Sequence, residues 1–128
     1  MKVLIINALV VGVGGFFGTI MRYVITIGIQ RKSAELLFPL GTMLVNMLGC
    51  FAVGLIAGLI DLKGIGSDTL RLLLVLGFLG GFTTYSAFGF ETFILFREGD
   101  IFRAFLNILI HITFGLFFIW IGYSISSK

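Results

Sequence analysis

Four apolar stretches, separated by short polar connections, leave this chain little choice of architecture. About 20 consecutive apolar residues cross the hydrocarbon core of a bilayer as a helix, and such stretches run at approximately 3–29, 38–60, 71–96 and 102–126. The first carries one charge, Arg22, whereas the residues from Phe38 to Ile60 and from Leu72 to Phe90 carry none. In lipid every backbone N–H and C=O needs an internal partner, which a helix supplies from its own segment. The pattern predicts one all-α integral membrane domain, multi-pass in the cell membrane, with the lipid bilayer as its solvent. Charged residues make up 12% of the chain, about half the share in soluble domains. The connections are too short for a soluble domain, and no basic tract suits nucleic acid. Lys2 ahead of an apolar run resembles the start of a signal peptide, but the run is too long and lacks a small-residue cleavage site, so it is expected to remain as a span.

The third stretch contains Gly80-Gly81-Phe82-Thr83-Thr84-Tyr85-Ser86-Ala87-Phe88, a poor composition for a lipid-facing helix. Paired glycines weaken helical structure, and Thr and Ser hydroxyls can bond freed backbone groups. Irregular backbone at membrane depth is tolerated where protein or a watery path surrounds it. A third helix broken mid-membrane is therefore predicted, with carbonyls available to an ion.

Charge leaves the orientation undecided. Lys2, Lys63, Arg71 and Lys128 fall on one side of a four-span chain and Arg31, Lys32, Arg97 and Arg103 on the other, four against four. An excess of Lys and Arg normally marks the cytoplasmic side. A tie is compatible with insertion in both directions and an antiparallel dimer, or with orientation by a partner or by finer details. Four helices hardly enclose a conduit alone, which also favours an oligomer. Gly14 with Gly18, Gly54 with Gly58 and Gly77 with Gly81 are small-xxx-small pairs, suited to packing either within a subunit or between subunits.

Single side chains carry the candidate chemistry. Asn46 is an amide in an uncharged span and can donate two hydrogen bonds to a dehydrated anion, or it can tie two helices together. Tyr85 and Phe88 share a helix face; spacing alone reads as packing, although inward ring edges are electropositive. Arg22 can snorkel to the interface or attract an anion. Glu91, one turn beyond Phe88, suits ordering of a hydrogen-bonded neighbour or water, and His111 suits either titration near neutrality or, as a lone His in a packed helix, a simple hydrogen bond. Cys50 has no second cysteine with which to form a disulfide.

In four places the chain resembles the Fluc-type (CrcB) fluoride channel family: Gly14-Gly15-Phe16-Phe17-Gly18 through Arg22; Gly41-Thr42 through Val45-Asn46 and Gly49; Gly77 through Phe88 followed by Glu91; and a fourth span with His111 and Gly115. The resemblance implies a dual-topology antiparallel homodimer that conducts fluoride. It implies a fluoride pathway along Asn46, Tyr85, Phe88, Ser86 and Thr84, a vestibule at Arg22, and polar support from Glu91 and His111. It also implies a structural sodium ion held by the backbone carbonyls of Gly80 and Thr83. The chain departs from the family pattern at Tyr85, usually Phe, and at Ala87, usually a hydroxyl residue.

Other functions fit less well. A small multidrug-type exchanger needs a carboxylate in its first helix, where this chain has Arg22. A non-transporting assembly subunit would account for the glycines but not for Asn46, Arg22 and the Gly-Gly-Phe-Thr-Thr run. For an enzyme there is no nucleophile-base pair, ligand cluster or phosphate loop.

Overall fold

The hydrophobic stretches become helices with little adjustment. The computed structural model describes residues 1–64 and 66–126; Lys128, counted in the charge tie, lies outside the described residues, as does the side chain of Lys63. Helix α1 spans Lys2–Lys32 and α2 spans Leu40–Lys63. The third span comprises α3, residues 68–82, and α4, Tyr85–Arg97; α5 spans Ile101–Ser126. Four helical spans are long and apolar enough to cross a membrane, and no strand occurs among the described residues.

The ends follow from local chemistry. Pro39 stands just before α2, and Gln30 ties the backbone on either side of it: its Oε1 accepts from Gly41 N–H at 3.4 Å and its Nε2 donates to the Phe38 carbonyl at 3.3 Å. Helix α2 runs three residues beyond the expected Ile60 and stops at Gly64, whose positive φ of 60° suits glycine. Ser67 caps α3 by accepting from Leu70 N–H. Asp100 accepts from Arg103 N–H and pairs with the Arg103 guanidinium at 3.0 Å, which fixes the start of α5.

Within α3, Leu72–Leu79 is π-helical; Gly80 N–H reaches the Val75 carbonyl, five residues back. Two seams then hold the subunit together. Along the first, α1 lies against α3 so closely that a Cβ on Gly14 or Gly18 would fall 2.3 and 2.0 Å from the carbonyl oxygens of Leu73 and Phe78. Gly77 and Gly81 meet α1 in the same way, at Val11 and Gly15. Along the second, α2 lies against α5: a Cβ on Gly54 would be 2.1 Å from the Ile119 carbonyl, and Gly58 abuts Ser126. All three glycine pairs therefore pack within one chain. With no hydrophobic force between helices in lipid, such backbone proximity is what gains dispersion contact.

Val45, Leu79 and Phe82 form the buried centre, flanked by Ile25, Ala52, Val53, Ile56 and Phe78. Many large apolar side chains remain exposed, among them Phe16, Phe17, Tyr23, Phe90, Phe105 and Trp120. For a bilayer protein, these face a solvent as apolar as themselves.

Candidate functional site

The backbone leaves the helix at Thr83 (φ −84°, ψ 158°) and Thr84 (φ −151°, ψ 117°), then resumes at Tyr85. Asn46 of α2 pairs with this extended piece. Its Oδ1 accepts from Thr84 N–H at 2.8 Å and its Nδ2 donates to the Thr84 carbonyl at 3.0 Å. One amide hydrogen is thus committed to the backbone, so Asn46 ties α2 to the third span.

The break redirects donors. In a continuous helix Thr84 N–H would serve the Gly80 carbonyl and Ala87 N–H the Thr83 carbonyl. Here Thr84 N–H goes to Asn46, and Ala87 N–H goes to Thr84 Oγ1 at 3.2 Å. The carbonyls of Gly80 and Thr83 are released from their helical partners, and Gly80 is exposed on the surface of the subunit. A Cβ at Gly80 would meet only the Val75 carbonyl, at 3.8 Å, so the ground beside it is open. Thr83 is steadied by its N–H and its hydroxyl, both donating to the Leu79 carbonyl at 2.9 Å. Its methyl lies over Gly49, where a Cβ would come within 2.1 Å of Thr83 Cγ2.

Beside the break lies a cavity of about 330 Å³ whose wall includes Asn46, Cys50, Thr84, Tyr85, Phe88 and His111. The Tyr85 and Phe88 rings are tilted, with centroids 5.7 Å apart, and Phe88 also packs on the His111 ring at 4.3 Å. Tyr85 is 84% exposed, so in a single chain its ring is largely unpacked. Ser86 contacts Thr84 Oγ1 at 3.3 Å but lies on the exposed side and is not part of this wall.

A second cavity, about 270 Å³, is bounded by Thr19, Arg22, Thr26, Thr42, Thr84, Ala87 and Glu91, among others. Arg22 and Glu91 share it without an ion pair; among the described residues the salt bridge formed is Arg103–Asp100. Glu91 Oε1 accepts from Thr42 Oγ1 at 2.6 Å, which is the hydrogen-bonded neighbour expected for this carboxyl, while Oε2 is buried without a partner. Ala87 faces this cavity rather than the aromatic one, so its missing hydroxyl is lost beside Arg22 and not beside Phe88. Thr84 is common to both walls.

A third group escaped the sequence reading. Asn107 is completely buried in α5; its Nδ2 donates to Thr92 Oγ1 at 2.9 Å, and Thr92 donates to the Phe88 carbonyl at 2.7 Å. The Asn107 carbonyl in turn contacts His111 Nδ1 at 2.9 Å. A lone amide in an apolar span was the signal that singled out Asn46, and applied to the fourth span it finds Asn107 as well.

Residues 9–123 match the family described as CrcB-like protein, Camphor Resistance (CrcB). The chain is 40% identical to the fluoride-specific ion channel FluC of Methylobacillus flagellatus over 93% of each protein. It is 37% identical to fluoride-specific ion channel FluC 1 of Methanosarcina acetivorans, covering 89% of this chain and 86% of that one. A third relative, the fluoride-specific ion channel FluC of Prosthecochloris aestuarii, is 40% identical over 92% of this chain and 91% of its own length.

Proposed function

This chain belongs to the CrcB family, as a multi-pass membrane protein and not an enzyme, and from that premise we propose that it is a fluoride-selective channel giving passive, electrogenic export of cytoplasmic fluoride. The observation that carries the proposal is the cavity in which Asn46, Tyr85, Phe88 and His111 meet beside a helix break. In such a path the second Asn46 N–H and the electropositive ring edges replace water around a small anion. The hydroxyl of Thr84 extends the donor set. Arg22 draws the anion to the mouth by charge, and Glu91, held by Thr42, positions that hydroxyl and the surrounding water. The physiological use is relief of toxicity: fluoride enters acid-exposed cells as the neutral acid, ionises inside, and leaves through the channel.

The assembly proposed is an antiparallel homodimer of oppositely inserted copies, favoured by the even charge count and by the exposed apolar surface. Labelling of a single introduced cysteine in the first connection from both faces of intact vesicles tests it; labelling from one face alone would rule out dual insertion. The carbonyls of Gly80 and Thr83 suit a hard cation such as sodium, being oxygen donors without helical partners on an open surface. A sodium ion there would supply a fixed positive potential to the neighbouring anion path. Replacing sodium by N-methylglucamine should then lower the thermal midpoint of the purified protein, and an unchanged midpoint would argue against the ion.

Fluoride efflux from proteoliposomes, followed by a fluoride-selective electrode with chloride in parallel, tests the function. Rapid valinomycin-dependent fluoride release without chloride release is expected. Release that ignores valinomycin would replace the electrogenic channel with electroneutral exchange, and no release from folded protein would overturn transport of fluoride.

A further inference from the structure

The wall of the aromatic cavity contains three titratable side chains: Cys50 from α2, Tyr85 from α4 and His111 from α5. Among the described residues, no Asp, Glu, Lys or Arg lines it. Cys and Tyr ionise to anions, so His111 alone can place a positive charge in this wall. The nearest carboxyl along α4, Glu91, lines the neighbouring cavity with Arg22 and is hydrogen-bonded to Thr42.

Three features direct proton uptake by His111 to one ring nitrogen. Its Nδ1 lies 2.9 Å from the Asn107 carbonyl, which can only accept, so Nδ1 carries the hydrogen in the neutral ring. Its Nε2 then bears the lone pair; it is buried within the subunit and has no hydrogen-bond partner there, so proton uptake breaks no existing bond but requires water to reach it from the cavity. The Phe88 ring, with its centroid 4.3 Å away, offers a π face to the resulting cation. Asn107 is itself anchored through Thr92 to the backbone of Phe88, which keeps the three groups in register.

We infer that His111 is the switchable cation of this cavity: once Nε2 has taken a proton from the aqueous phase, the imidazolium draws fluoride in and raises conduction when fluoride is scarce. The attraction acts through a low-dielectric wall, so it does not require direct contact between the ring and the anion. This inference rests on the channel reading above. It gives the cavity a response to acid, the condition under which fluoride accumulates in cells.

Planar-bilayer current recording tests it, because current registers moving charge and ignores the neutral acid that crosses lipid unaided. With subsaturating fluoride, stepping from about pH 8 to about pH 5, the interval in which imidazoles ordinarily titrate, should raise the wild-type current severalfold. In His111→Gln and in His111→Asn the ratio of the low-pH current to the high-pH current of the same variant should fall to about one. His111 is the one histidine in the chain, so ¹⁵N-histidine NMR of the wild-type protein reports its titration directly, and its midpoint should coincide with that of the current. A pH-independent wild-type current, a rise surviving in either His111 variant, or mismatched midpoints would each overturn the inference while leaving the channel intact. Absence of any wild-type fluoride current would instead overturn the channel reading, and this inference with it.

Discussion

The side chain of Asn46 makes with Thr84 the two hydrogen bonds that an adjoining strand would make, accepting from its N–H at 2.8 Å and donating to its carbonyl at 3.0 Å. A backbone segment outside helical geometry is thereby satisfied at membrane depth by one amide. Leaving a buried backbone group unpaired costs about 1–3 kcal/mol, so this pairing is a condition for the break itself.

Asn46→Asp keeps an acceptor for Thr84 N–H but removes both amide donors and sets a carboxyl group against the Thr84 carbonyl. Fluoride efflux from proteoliposomes should fall to background, with a lower thermal midpoint. Efflux at the wild-type rate would remove Asn46 from the anion path.

Gly18→Ala would drive a methyl group to about 2.0 Å from the Phe78 carbonyl oxygen, an atom that cannot move without shifting α3. Overpacking of this kind costs at least about 1–3 kcal/mol. A marked drop in monodisperse protein on size-exclusion chromatography is expected. Gly12→Ala is the matched control, since nothing lies within 4 Å of its added carbon; equal behaviour of the two variants would contradict the close seam between α1 and α3.

Thr42→Val removes the hydroxyl that donates to Glu91 Oε1 and leaves a carboxyl with no protein partner. Loss of a hydrogen bond to a carboxylate costs about 1.5–3 kcal/mol. The thermal midpoint should drop in Thr42→Val and recover in Thr42→Ser, which keeps the donor. A Ser variant as unstable as the Val variant would show that the methyl group, not the hydroxyl, matters there.

Phe88→Ala strips the ring that touches both Tyr85 and His111. Conduction should be lost even in protein that remains folded and monodisperse, whereas Tyr85→Phe, which keeps the ring edge, should conduct. Retained efflux in Phe88→Ala would reduce that ring to packing.

The spans and the place of the break were legible in the sequence because both depend on local composition: hydropathy over some 20 residues in one case, and Gly80-Gly81 followed by Thr83-Thr84 in the other. The facing of side chains was not. In a soluble protein polar residues mark the outside of a helix, but here lipid and core are both apolar, and periodicity carries little directional information. Nothing in the sequence tells that Ala87 faces Arg22 and Glu91, or that Ser86, which the resemblance puts in the fluoride pathway, lies outside the aromatic cavity of the single subunit. The π-helical turns of Leu72–Leu79 also left no local mark in a run of aliphatic residues. Their effect, the meeting of Gly77 and Gly81 with α1, belongs to the packing of two helices and not to either alone.

The two glycine seams divide the subunit into a pair formed by α1 and α3 and a pair formed by α2 and α5. Each pair meets backbone to backbone, which leaves it little room to slide. The aromatic cavity opens where α2 and α5 face the interrupted third span, and the Asn46–Thr84 amide bridges that boundary. The same boundary is crossed by Thr42–Glu91 and Asn107–Thr92, so the width of the cavity is governed by how α2 and α5 lean on the interrupted span, through several side-chain hydrogen bonds each worth about 0.5–1.5 kcal/mol.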